Sequence, residues 1–338
     1  MQRRPRSNST LAAPCRSVAG FTIVELLVVI GVIAILVSLV SVADTQAGQT
    51  ARQTQALSNL KQVGTAWLQY ANQNDDRCML GYADEGVQTA FRMRVKDAAG
   101  NAVLPANAAT YPFRLLPFLN NDRSMMYEYI DEYEDSSIIP EDVIAQNPGF
   151  GYNAFYLGGW WETVSGAPKM RFGQTAGIVA RSVAQIAKTT ELIVFSASTS
   201  AQPGYYKSPN ENAPGSAWVV PHILADTPIW QASDGGNFIQ MQTADRGSLN
   251  LETVTASLFG GAPRRSGTQD GVTLVQGGSG MDVLQEQSVP LRRIKNVVQT
   301  IRADLSTTTQ GLRDLMDQRR WINTATSADP ENFTHSPL

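Results

Sequence analysis

Histidine, cysteine and charge are all scarce in this 338-residue chain, and each scarcity removes a class of chemistry. His222 and His335 are the two histidines, so a multi-histidine metal centre is excluded. Cys15 and Cys78 are the two cysteines, and no Gly-x-Ser-x-Gly elbow accompanies them. Neither a nucleophilic triad nor a disulfide framework is signalled. Charged residues make up 17%, below the roughly one quarter of an ordinary soluble domain. The chain reads as a non-enzyme with no cofactor. Apolar residues reach 43%, enough to build a sizeable core without metal or disulfide.

The charge is also unevenly spread. Arg3, Arg4, Arg6 and Arg16 stand in the first twenty residues with no acid among them, and the remainder holds 23 basic against 30 acidic residues, a net of −7. A mildly acidic body argues against nucleic acid as a partner, because phosphate binding needs clustered Lys and Arg. Cys15 follows Pro14 with no apolar run before it, which argues against lipidation.

From Phe21 to Ala43 there are 23 residues with a single charge, Glu25. As a helix this stretch is roughly 34 Å long, sufficient for a hydrocarbon core of about 30 Å. It exceeds the apolar region of a secretory signal, about 7–15 residues, and has no small-residue cleavage site at its far end. The arginines before it place its N-terminus in the cytoplasm and the body outside. A carboxylate within such a helix costs about 2.5–3.5 kcal/mol on insertion scales. Near the helix start, however, the dipole favours it and headgroups are close. Taken alone, Glu25 reads equally as an interfacial or a functional acid.

The residues around it decide. Gly20-Phe21-Thr22-Ile23-Val24-Glu25-Leu26-Leu27-Val28-Val29-Ile30, behind a basic leader, closely resembles the processing signal of type IV prepilins and type II secretion pseudopilins. The resemblance implies cutting after Gly20 by a prepilin peptidase and N-methylation of Phe21 by the same peptidase/N-methyltransferase. It also implies that Glu25 recruits or registers an incoming subunit. A glycine before the cut offers an unhindered backbone. In a bundle of such helices, the new terminal amine and a neighbour's Glu25 offset one another's cost in lipid.

The helix is expected to continue past the membrane. No proline occurs between Asp44 and Asn74, and Leu57, Leu60, Gly64, Trp67, Leu68 and Ala71 mark one apolar stripe at spacings of three and four. Beyond it, Gly and Asn break any period from Asn74 to Tyr111, with a short hairpin expected around Phe91–Val95, and Tyr111–Leu119 reads as a buried segment between turns. Glu128, Asp131, Glu132, Glu134 and Asp135 lack the ligand spacing of a calcium loop, so the favoured reading is a solvated acidic face. Gly151-Tyr152-Asn153 and the run Glu191–Ala197 resemble a family of large prepilin-like proteins with a long C-terminal domain of unknown function. Two histidines usual in that family are missing near Arg265 and Gly277–Met281. Leu291, Ile294, Val298, Ile301 and Leu305 are spaced as a C-terminal helix.

The expected architecture is therefore α+β and pilin-like, a long N-terminal helix packed on an antiparallel β-rich head. Residues 1–20 are the leader, 21–43 the transmembrane half of the helix and 44–75 its amphipathic half. Residues 76–323 form the head with its C-terminal helix, and 324–338 a disordered tail. The partners implied are the peptidase, other pilin or pseudopilin subunits and inner-membrane lipid. The destination is a periplasmic or cell-surface filament. The competing expectation is a tethered domain that reads carbohydrate through Trp160, Trp161, Trp218 or Trp230.

Overall fold

The computed structural model describes residues 22–127, 140–170, 177–199, 215–224, 227–228, 230–232, 239–241, 263–269, 272–277, 289–290, 294 and 297–328, with backbone alone at 36–45 and along most of the strands between 224 and 289. The chain divides at Gly48–Gln49 into two units. A helix, α1, runs Ile23–Gln73. It has no proline to break it, and it ends where Asp75 and Asp76 enter left-handed backbone (φ 55° and 62°). Asn74 Nδ2 caps the free carbonyl of Tyr70 at 2.7 Å. Among the described residues no helix is long and apolar enough to cross a membrane. The stretch expected to span, 21–43, includes side chains 36–43, which lie outside the described residues.

After α1 come β1 (Tyr82–Ala83), α2 (Glu85–Ala90), α3 (Pro105–Ala108), α4 (Pro112–Leu115), α5 (Glu141–Gln146), β2 (Phe150–Tyr152), β3 (Trp160–Val164), β4 (Ala167–Met170) and β5 (Ile193–Thr199). Then follow β6 (Ile223–Leu224), β7 (Thr227–Pro228), β8 (Trp230–Ala232), β9 (Ile239–Met241), β10 (Pro263–Gln269), β11 (Val272–Gly277), β12 (Val289–Pro290), β13 (Val298–Arg302) and β14 (Thr307–Gln310). The central sheet runs β12-β5-β13-β14, with β2 also on β5, and every pairing in it is antiparallel. Smaller sheets are β1-β3-β4, β10-β11-β9-β8 and the β6-β7 hairpin. The observed class is α+β: an N-terminal helix with largely antiparallel sheets.

Within the second unit, α1 lays Ala56, Leu60, Val63, Trp67 and Ala71 into the core, all fully buried. The buried stripe is rotated slightly from the expected one, leaving Leu57 and Leu68 half-buried at its edge. Gly64 lets the central sheet come close: a Cβ there would lie 2.2 Å from Ile301 Cδ1. Lys61 Nζ adds a bond to the carbonyl of Leu305 at 3.0 Å.

Several expectations are corrected. The C-terminal helix does not form: Val298–Arg302 is a strand between β5 and β14. Its sequence Val-Gln-Thr-Ile-Arg holds three β-branched residues, its first four side chains are buried between the flanking strands, and the sheet position overrides the helical spacing of the flanking residues. Leu305, at φ 65°, turns the chain back into β14. Residues 314–316 and 318–320 are 3-10 turns. The chain before Phe91 is helical, because Asp84 Oδ1 caps α2 by accepting from Val87 N at 2.8 Å. The nearby bridge joins Lys96 to Ala102 rather than pairing within 91–95. The order also extends past the expected boundary at 323, with Ala325 fully buried and its carbonyl bonded by Lys188 Nζ. Residues 329–338 lie outside the described residues.

Candidate processing and assembly site

The helix begins at a reciprocal cap. Glu25 N donates to Thr22 Oγ1 at 3.2 Å, while Thr22 N and Thr22 Oγ1 both donate to Glu25 Oε2 at 2.8 Å. With Thr22 as N-cap and Glu25 three residues on, this is a capping box, which satisfies otherwise orphaned amides at a helix start. The pattern Thr-x-x-Glu was present in the sequence, and reading Glu25 only as an acid in lipid missed Thr22 as its partner. Both bonds that the carboxylate accepts fall on Oε2, and among the described residues Oε1 takes none. Gly20 and Phe21 lie outside the described residues, immediately before this cap.

From the cap onward the apolar side chains face outward. Ile23 is 83% exposed, and Leu27, Ile30 and Ile33 are each more than half exposed. An apolar surface of this kind, on all sides of one helix, calls for lipid or for other helices.

The other candidates resolve into packing. Trp160, Trp218 and Trp230 are almost wholly buried, which removes three of the four tryptophans expected to read a carbohydrate. Trp161 is half-buried, with Phe91 edge-on at 5.4 Å and Arg181 5.6 Å from its ring centre. His222 is buried, its Nδ1 bonded to the carbonyl of Trp230. Burial pushes the Cys78 thiol up to about 12, with Asp76 adding to the shift, so the thiolate is suppressed. The acidic run from Glu128 to Asp135 lies outside the described residues. Among those described, no group of three or more His, Cys, Asp or Glu is placed to hold a metal ion.

Gly151-Tyr152-Asn153 is a structural node. A Cβ on Gly151 would lie 2.6 Å from the carbonyl of Trp218, so only glycine admits that strand so closely. Asn153 Nδ2 donates to the carbonyls of Ile193 at 3.0 Å and Trp321 at 2.9 Å, tying the C-terminal turns to β5.

Residues 15–41 match the prokaryotic N-terminal methylation motif. The match supports a prepilin-type signal, and it encloses Gly20, Phe21 and the whole Thr22–Glu25 box. No curated protein and no solved structure matches the chain.

Proposed function

We propose that this chain is a structural subunit of a type IV pilus or of a type II secretion pseudopilus, and that it has no catalytic role. Prepilin peptidase removes residues 1–20 at Gly20–Phe21, and Phe21 is N-methylated. Residues 21–43 then hold the subunit in the cytoplasmic membrane, its N-terminus inside and its head outside. Processed subunits leave the membrane by packing these helices together. The large head favours a minor or pseudopilin-like subunit.

The observation that carries this reading is the capping box set directly behind the junction, in a helix whose exposed side chains are apolar. The box gives Glu25 an intramolecular partner, so a single subunit tolerates the acid near the membrane interface. Because Oε1 takes no bond among the described residues, a neighbour's terminal amine can pair with Glu25 without breaking the cap. That pairing replaces one half-satisfied charge by two satisfied ones in a medium of low polarity.

Glu25→Ala tests it. Cleavage and anchoring are expected to survive, while the variant disappears from the sheared filament fraction of cells that carry it. Filaments containing the variant at the wild-type level would overturn the assembly role.

A further inference from the structure

Among the described residues β14 pairs with β13 alone, which makes it an edge of the central sheet. The hairpin joining the two strands fixes which backbone groups of that edge are left over. Leu305 N donates to the carbonyl of Arg302 at 2.9 Å, and Arg302 N donates to that of Ser306 at 3.0 Å. Arg302 and Ser306 are thus the first hydrogen-bonded pair, and antiparallel partners alternate between bonded and non-bonded pairs. In the observed register, Thr300↔Thr308 and Val298↔Gln310 are the next two bonded pairs. Thr308 and Gln310 therefore direct their backbone groups at β13, while Thr307 and Thr309 turn their N–H and C=O outward. The Thr309 carbonyl is touched by Thr308 Oγ1 at 3.4 Å, a long contact that leaves its second lone pair open.

Outward N–H and C=O groups in a row call for an extended strand, and edges that avoid such pairing carry Lys, Pro or a bulge. This edge has none of them. Ser306-Thr307-Thr308-Thr309-Gln310-Gly311 holds no charge and no proline, its register on β13 is unbroken, and its three threonines are β-branched and only half-buried. It is also its own complement. Two copies laid antiparallel about a two-fold axis at Thr308 set Thr307 of each against Thr309 of the other, so the outward groups of both strands meet each other. We propose that β14 of one copy pairs antiparallel with β14 of a second copy, joining two central sheets into one.

The charges that flank the strand agree with this direction. Asp304 lies exposed before it and Arg313 exposed after it, so antiparallel pairing brings the acidic end of one copy to the basic end of the other. Parallel pairing would join like ends. Asp304 engages Ser306 through Oδ1 alone, and Asp314, the acid beside Arg313, accepts from Gly311 N at 3.1 Å. The contact uses the same surface on both copies and closes at two. It pairs heads rather than extending a row, so it stands whether or not the helices assemble into a filament.

A disulfide trap in the full-length protein, solubilised in detergent and carrying Cys15→Ser, tests the pairing; Cys78 is shielded by burial. The two Thr308 residues form a non-hydrogen-bonded pair with Cα atoms about 4.5 Å apart, within disulfide reach, whereas the two Thr309 residues stand beyond about 7 Å. Under mild oxidation Thr308→Cys is expected to give a linked dimer and Thr309→Cys none. Adding Thr309→Pro to Thr308→Cys removes an outward N–H from each copy and spares the bonds to β13, so the yield should fall about tenfold; Thr309→Val should keep it. Should the proline variant fail to fold, charge decides. Thr307→Lys with Thr309→Lys sets like charges opposite one another and should lower the yield, and Thr307→Lys with Thr309→Glu should restore it. No dimer from Thr308→Cys, an equal dimer from Thr309→Cys, or a yield indifferent to both the proline and the charges overturns the pairing.

Discussion

Trp67 Nε1 donates to Tyr152 Oη at 3.3 Å, and that hydroxyl donates onward to the carbonyl of Met79 at 3.0 Å. Trp67 and Tyr152 are both fully buried. One hydroxyl therefore joins the helix, the central sheet and the loop leaving the helix, with each polar atom satisfied in the interior.

Tyr152→Phe keeps the ring and strands two partners, the Trp67 indole N–H and the Met79 carbonyl. Loss of about 1–3 kcal/mol is expected. Trp67→Ala removes the indole and opens a cavity, with an expected loss of about 3–5 kcal/mol. Chemical denaturation of the full chain in detergent checks both. Equal losses from the two variants would show that the hydroxyl, rather than the ring, dominates the node.

Alkaline conditions offer a second check. Cys78 is driven up to about 12 by burial, and burial also raises the phenols of Tyr111 and Tyr152 well above their ordinary range. The unfolded chain gives up its thiol proton near its ordinary value of 9.0 while the folded chain keeps it up to about 12. Unfolding thus releases a proton in that window, and stability falls as pH rises through it, by about 1.4 kcal/mol per pH unit for this one group. Below pH 9 the contribution is flat. The buried phenols of Tyr82, Tyr111 and Tyr152, whose ordinary value is 10.0, supply a growing share of the slope toward pH 10, so Cys78→Ala should reduce it just above pH 9. An unchanged slope there would place the thiol in water.

The capping box predicts a local effect at the helix start. Thr22→Val keeps the shape of the side chain and loses the oxygen that accepts from Glu25 N, at a cost of about 1 kcal/mol confined to the first turn. Amide exchange at residues 24–26 in micelles should speed up, while exchange along Leu60–Trp67 stays unchanged. Thr22→Ser retains the oxygen and should exchange like the wild type. Equal exchange in all three proteins would rule out a working cap.

Much of the fold was legible wherever one local rule acted alone. The unbroken apolar run after Phe21 and the stripe through Leu60, Trp67 and Ala71 obey a single helical period, and the structure keeps both within one helix. Legibility failed where two rules competed. Val298 and Ile301 lie at a helical spacing with Leu305, yet their place between two strands decides for β. Likewise Asp84, a cap visible only once the chain after it is known to be helical, hid α2 in a stretch that looked irregular. At the helix start, Glu25 stood out because charge in an apolar run is costly. Thr22 did not, since a threonine in such a run carries no comparable penalty, and its part appears only in the bonds it makes. The role of Gly151 was equally silent, because the close approach of Trp218 comes from residues 67 positions away.

The most direct test is the intact mass of the full-length protein recovered from membranes of cells that contain prepilin peptidase, alongside a Gly20→Asp variant. The account predicts a species with the mass of residues 21–338 carrying one added methyl group on Phe21, while the variant keeps its leader. A mature chain that starts at any other residue, or a wild-type chain that keeps residues 1–20 in the presence of the peptidase, would contradict it.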